Sequence, residues 1–179
     1  MIRRRPLIYM QTAESTFEHL KSIDFATNEA MRNTTDSAVN IGNTWTIMIW
    51  MKTTGTVFTT DRTLFIINPS DASARNEIQY RHDGSILNDP FVVNLADSAG
   101  TSFKSYSYDS LIVGDIWEQI VLTWNGTTLL LYRNGTFITP TSLGIDDPGT
   151  MTNTNRRISV GANFGGEFWA GRIHSIAFW

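Results

Sequence analysis

Residues 117–140 read WEQIVLTWNGTTLLLYRNGTFITP, and the fold is decided here. Asn125-Gly126 and Asn134-Gly135 each stand between apolar runs. Asn-Gly is the dipeptide that two-residue type I′ hairpin turns select, because both central residues of such a turn need positive φ. Taking each loop as two residues long fixes the register. The first turn then sets Leu122 opposite Leu129 and Ile120 opposite Leu131, on the face that also carries Trp124. The second sets Leu131 opposite Ile138, again on that face. Side chains alternate along a strand, so two separate turns nominate one apolar surface and a three-stranded meander. The reverse face carries Gln119, Thr123, Thr128 and the cross-strand pair Tyr132/Phe137. That face is mixed, and is expected to be exposed or partly covered.

Outward from this stretch the chain stays strand-like. Thr44 to Met51 (TWTIMIWM) is apolar without alternation, which predicts a central strand covered on both faces. Leu64 to Ile67, Asn76 to Arg81, Phe91 to Leu95 and Ser102 to Tyr108 are further strands, cut by Asn, Gly, Asp and Ser. The last of them alternates, with Phe103, Ser105 and Ser107 on one side and Lys104, Tyr106 and Tyr108 on the other. Arg157 to Gly161 and Phe168 to Trp179 close the pattern. The best helical candidate, Ala13 to Leu20, is too short to stand alone. Two segments are expected, an N-terminal arm over 1–16 and one strand-rich domain over 17–179.

The 179 residues suffice for one core. A net charge of −3 argues against a nucleic-acid binder, which needs a basic face. The single basic cluster, Arg3-Arg4-Arg5, is either a docking arm or a few charges on a loose terminus. There is no cysteine, so disulfides, thiol nucleophiles and cysteine–zinc sites are out. The apolar run after the arginines, Pro6 to Met10, is too short for a secretory signal, and no stretch approaches the ~18 apolar residues of a membrane helix. No membrane partner is expected.

Three stretches of the chain resemble the laminin G-like branch of the concanavalin A-like lectin/glucanase superfamily. They are Ile23-Asp24-Phe25 through Thr46 to Lys52; Trp117 to Gly126 through Leu131-Tyr132-Arg133-Asn134-Gly135; and Ile158-Ser159-Val160-Gly161 through Phe168-Trp169-Ala170-Gly171-Arg172-Ile173. The resemblance implies an all-β, two-sheet antiparallel jelly-roll sandwich. His174 departs from it, standing where many relatives have an acidic residue, and this weakens any calcium site carried over from the family.

Glycoside hydrolysis needs two carboxylates about 5–9 Å apart. No two acidic residues stand at i and i+2, the spacing that would align them on one strand face. No catalytic residue is therefore assigned, and an enzyme is not expected. His19, His82 and His174 lack metal-like spacing. Calcium is considered and not favoured: the loop 144–155 is rich in oxygen ligands, with Asp146 and Asp147 as weak candidates, but turn chemistry explains its composition. No cofactor is expected. The sequons at Asn33, Asn125 and Asn134 carry no glycosylation reading, the last two being hairpin turns.

Sugars stack their apolar faces on exposed rings beside hydrogen-bonding groups. Candidate ligand-binding residues are Tyr106, Tyr108, Tyr132, Phe137 and Trp169, while Trp45, Trp50, Trp117 and Trp124 are assigned to the core. Arg3, Arg4, Arg5 and Trp179 are candidates for contact with a partner, Trp179 because an aromatic terminus asks for cover. The expectation is a non-catalytic binding or structural module on a virion surface, a phage capsid decoration or fibre component. It would contact neighbouring subunits as a homo-oligomer, with glycans as a further ligand. The alternatives are a free, extracellular or cell-surface lectin-like module and, behind it, a glycosidase.

Overall fold

A computed structural model describes residues 23–25, 30–32, 39–41, 44–54, 62–68, 76–80, 91–96, 103–109, 111, 114–144, 153–162 and 168–179. The strands are β1 (Ile23–Phe25), β2 (Met31–Arg32), β3 (Val39–Ile41), β4 (Trp45–Thr53), β5 (Arg62–Asn68), β6 (Asn76–Tyr80) and β7 (Phe91–Ala96). They continue with β8 (Phe103–Tyr108), β9 (Trp117–Trp124), β10 (Leu129–Arg133), β11 (Thr136–Ile138), β12 (Ser142–Leu143), β13 (Asn153–Val160) and β14 (Gly171–Phe178). No helix occurs among the described residues. A six-stranded sheet runs β1-β14-β4-β9-β10-β11, and an eight-stranded sheet runs β12-β8-β7-β6-β5-β13-β2, with β3 also on β13. Every ladder within these sheets is antiparallel. The expected jelly-roll sandwich is what the chain forms.

The core lies between the sheets. Trp45, Ile47, Ile49, Met51, Ile120, Leu122, Trp124, Leu129, Leu131 and Ile173 face it from one side. Leu64, Phe65, Phe91, Val93, Leu95, Tyr106, Tyr108 and Val160 face it from the other. Each such side chain removed from water is worth roughly 1.5–3 kcal/mol, and this burial holds a cysteine-free chain together.

The two Asn-Gly turns differ. Asn134 and Gly135 have φ of 50° and 81°, and Leu131 pairs with Ile138, Tyr132 with Phe137 and Arg133 with Thr136, the type I′ turn expected. Asn134 also accepts a hydrogen bond from the Gln119 N–H through its Oδ1 at 2.8 Å. Around Asn125 the two-residue reading is corrected. Trp124 pairs with Leu129, Leu122 with Leu131 and Ile120 with Arg133, so the loop holds four residues, 125–128. The Asn125 side-chain oxygen accepts from the N–H groups of Thr127 (3.0 Å) and Thr128 (2.8 Å) and from the Thr127 hydroxyl (3.0 Å). This side-chain-built turn outcompetes the tighter one. The slip is two residues, an even number, so every side chain keeps its predicted face.

β4 is the second correction. It alternates strictly between buried and partly exposed residues, so only one of its faces is covered in full. Its outward face carries Met48 and Trp50 between Thr46 and Lys52, and those two apolar side chains hid the alternation in the sequence. The eight-stranded sheet, by contrast, buries both sides at β5 and β7, where Ile66 and Val92 back onto Phe65 and Val93 and are 1% and 4% exposed. Near the C-terminus, β13 starts at Asn153, earlier than expected, and β14 starts at Gly171, leaving Phe168 in isolated bridges to Thr63 and Ala162. Gly171 has φ +146°, and a Cβ there would overlap the Lys52 carbonyl oxygen, so only glycine brings β14 this close to β4.

Candidate ligand-binding face

The outward side of the six-stranded sheet can be built row by row from the strand register. The first row is Arg172, Lys52 and Trp117 on β14, β4 and β9. The second is Ser175, Trp50 and Gln119. The third crosses five strands: Ala177, Met48, Val121, Tyr132 and Phe137. The fourth is Thr46, Thr123 and Leu130. Arg172 and Phe137 are exposed and the rest are partly exposed, Phe137 reaching 48%. With strands ~4.8 Å apart and ~3.4 Å per residue, the aromatic positions from Trp117 to Phe137 span roughly 16 Å.

Lateral contacts order this surface. The Tyr132 and Phe137 rings meet edge to face, centroids 5.7 Å apart. Gln119 donates through Nε2 to the Met48 sulfur at 3.2 Å, and the Thr46 and Thr123 hydroxyls lie 3.4 Å apart. β14 bulges between Ile173, which pairs with Met51, and Ser175, which pairs with Trp50. The extra residue is His174, exposed, with its ring edge-on to Trp117 at 6.5 Å. Bulges re-aim side chains in this way. The surface therefore offers rings at two ends, with amide and hydroxyl groups between them.

Three of the sequence candidates are corrected. Tyr106, Tyr108 and Trp169 are 2%, 1% and 1% exposed, all inside the core, and no ligand ring can stack on them. β8 turns its serines outward and its tyrosines inward, where the larger apolar area is worth more. The Tyr106 hydroxyl accepts from the Leu129 N–H, and burial, helped by neighbouring Tyr106, pushes the Tyr108 hydroxyl well above its ordinary pKa. Tyr132 and Phe137 stay on the outward face. Trp50 and Trp117 join them there instead of the core to which the sequence sent them, while Trp45 and Trp124 are buried as expected. Register parity is the signal that finds them: both stand at odd spacing from inward residues of their own strands.

Trp179 is 65% exposed, although its backbone exchanges two hydrogen bonds with Thr46, each 3.1 Å. Arg3, Arg4, Arg5, Asp146, Asp147, His19, His82, Asn33 and the segment Ala13 to Leu20 lie outside the described residues. Among the described residues no cluster of three or more His, Asp or Glu forms a metal site, and no helix is long and apolar enough to cross a membrane. The buried carboxylate Glu118, 1% exposed on the inward face, is held by Arg133, whose Nε donates to it at 2.5 Å. A carboxylate fixed by a guanidinium is poorly placed to shuttle protons.

The two antiparallel sheets form a sandwich with one aromatic sheet face turned outward. A laminin G family model, described as the concanavalin A-like lectin/glucanases superfamily, matches residues 26–179, and the chain belongs to that family. No curated protein sequence matches the chain. Among solved structures it is similar to the CBM40 domain of the Ruminococcus gnavus IT-sialidase bound to α2,3-sialyllactose, with TM-score 0.63, 12% identity and 89% of each chain covered. It is also similar to domains LG4-5 of the mouse laminin α1 chain, with TM-score 0.62 and 11% identity, covering 98% of this chain and 46% of that one. A third is the enzymatically active domain of tailspike protein 2 of bacteriophage CBA120, with TM-score 0.59 and 11% identity, covering 84% of this chain and 24% of that one.

Proposed function

We propose that the chain is a non-catalytic glycan-binding module whose ligand lies on the outward face of the six-stranded sheet. One observation carries this reading: Trp50, Trp117, Tyr132 and Phe137 stand on the solvent side, interleaved with Gln119, Thr46 and Thr123. Cross-strand ring contacts such as Tyr132/Phe137 also stabilise the sheet, but a pyranose asks for just such a flat apolar platform flanked by hydrogen-bonding groups. The family's lectin lineage and the sialyllactose bound to the R. gnavus domain support it. The absence of an aligned carboxylate pair in the sequence, and the engagement of Glu118 with Arg133, favour binding over hydrolysis.

The test is a glycan array followed by calorimetry. Wild type binds at least one glycan class, and the Trp50→Ala/Tyr132→Ala double variant binds it at least about tenfold more weakly with its fold intact. Binding that survives the double variant, or no binding across the array, refutes the reading.

The resemblance to a phage tailspike domain favours one setting for such a module, a virion surface where copies of the chain contact neighbouring subunits. The exposed Phe178 and Trp179, at 37% and 65%, would supply part of that contact. Sedimentation of the purified chain decides it. A defined homo-oligomer dispersed by Trp179→Ser supports the virion setting, and a monomer at high concentration leaves a free extracellular lectin-like module.

A further inference from the structure

Among the strands at the sheet margins, β11 is the one without a guard. β1 has Asp24 at its centre, β2 carries Arg32, β12 offers two residues, and β3 meets β13 across a register shift. Charges, brevity and bulges are the devices that keep an edge from pairing with another chain. β11 reads Thr136-Phe137-Ile138, uncharged throughout, with Phe137 48% exposed. The direction of its backbone groups follows from the hairpins. The Asn134 N–H donates to the Gln119 carbonyl at 2.9 Å, and the Asn125 N–H to the Thr128 carbonyl at 3.3 Å. Antiparallel pairs alternate between bonded and non-bonded, so counting from either end Tyr132 directs its N–H and C=O to Val121. Tyr132 and Phe137 are then a non-hydrogen-bonded pair. The Phe137 N–H and C=O therefore point away from β10, off the end of the sheet, where no described residue meets them.

We infer that β11 pairs with β11 of a second copy of this chain, antiparallel, about a two-fold axis at Phe137. With the axis there, each Phe137 N–H donates to the other copy's Phe137 carbonyl, and Thr136 of each copy stands opposite Ile138 of the other. Charge favours a like partner at this edge and at no guarded one. A two-fold axis sets the central residue against its own copy, which is a repulsion at Asp24 of β1 and a ring pair at Phe137. The outward third row then runs unbroken from Tyr132 and Phe137 of one copy into Phe137 and Tyr132 of the other, four rings over roughly 14 Å. The pairing does not depend on the glycan-binding reading; together with it, the second copy supplies half of the platform at this end. It is also separate from any contact made by Phe178 and Trp179, since β4, β9 and β10 lie between β14 and β11.

Sedimentation of the purified chain from about 10 μM to about 1 mM tests the pairing and shows a reversible dimer, weak because the edge is short. Phe137→Leu keeps the dimer, since the backbone makes the contact. Phe137→Pro removes an N–H that β10 does not use and weakens association at least about tenfold. Phe137→Lys and Phe137→Glu each set like charges opposite one another and weaken it by a similar factor. Mixed in equal amounts, those two variants associate again as a heterodimer, the signature of an axis at this residue. Circular dichroism checks that every variant is folded. A monomer at about 1 mM, a dimer insensitive to Phe137→Pro, or a lysine–glutamate mixture that stays monomeric overturns the inference. So does a dimer lost with Phe137→Leu, which assigns the contact to the ring. Association dispersed by Trp179→Ser and untouched by Phe137→Pro overturns it as well, while the virion setting and glycan binding stand.

Discussion

The two faces of the six-stranded sheet are both aromatic, and only one of them is core. Inward, Trp45 and Trp124 are directly paired and almost wholly buried, with Ile47, Ile49, Ile120 and Leu122 around them. Outward, Trp50, Trp117, Tyr132 and Phe137 stand one residue out of phase on the same strands and keep part of their surface in water. The difference teaches that an apolar residue in a strand has two possible employers, the core and a ligand. Parity relative to a known inward residue tells them apart, and composition does not. The eight-stranded sheet is the counterexample, since at β5 and β7 it buries both of its sides.

The contrast can be broken most forcefully from inside. Trp124→Ala removes a side chain that is 1% exposed and should cost about 3–5 kcal/mol in a urea titration, with any glycan affinity lost only as the fold is lost. Next comes the inward ion pair. Glu118→Gln leaves Arg133 without its carboxylate, and because Arg133 is 23% exposed, water softens the penalty to about 1–2 kcal/mol, below that of a wholly dry pair. The turns that keep the faces in register follow. Asn134→Ala forces a residue with a Cβ-limited backbone into φ 50° and removes the bond to the Gln119 N–H, for about 1–1.5 kcal/mol. Asn125→Ala loses only loop hydrogen bonds and should cost about 1 kcal/mol or less. The outward face closes the series: Phe137→Ser should move stability by no more than about 0.5 kcal/mol while weakening the glycan. A large stability loss at Phe137 would mean that the two faces are not distinct in the way the geometry states.

Much of the architecture was legible in the sequence, and the two Asn-Gly turns explain both how and where reading stopped. At Asn134 the dipeptide and the loop length agreed. At Asn125 the same three letters, Asn-Gly-Thr, were followed by a second threonine whose N–H the asparagine oxygen could also capture, and the loop grew to four residues. The inward set Ile120, Leu122, Trp124, Leu129 and Leu131 was still right, because an even slip preserves sides. The binding face was only half legible. Tyr132 and Phe137 were placed on the outward side by the second turn, whose register was read correctly. Trp50 was missed because Met48 and Trp50 make the middle of β4 apolar on both sides, and Trp117 because a tryptophan at the start of β9 was sent to the core although it shares the parity of Gln119 and Thr123. Tyr106, Tyr108 and Trp169 went wrong for the complementary reason: a polar atom at the tip of a ring suggests exposure, yet the ring area decides.

The position of β14 has a consequence in time. It is inserted between β1 and β4, so Gly171 must find Phe25 on one side and Thr53 on the other, across roughly a hundred or more intervening residues. Neither partner can be recruited by a local hairpin, and the entropy of closing such loops must be met before the ladders repay it. Refolding should therefore fall in the millisecond-to-second range of high-contact-order β proteins. Until β14 docks, one long side of β4 is an unpaired edge flanked by Trp45, Ile47 and Ile49, and during that interval the chain is most prone to pair with another copy of itself.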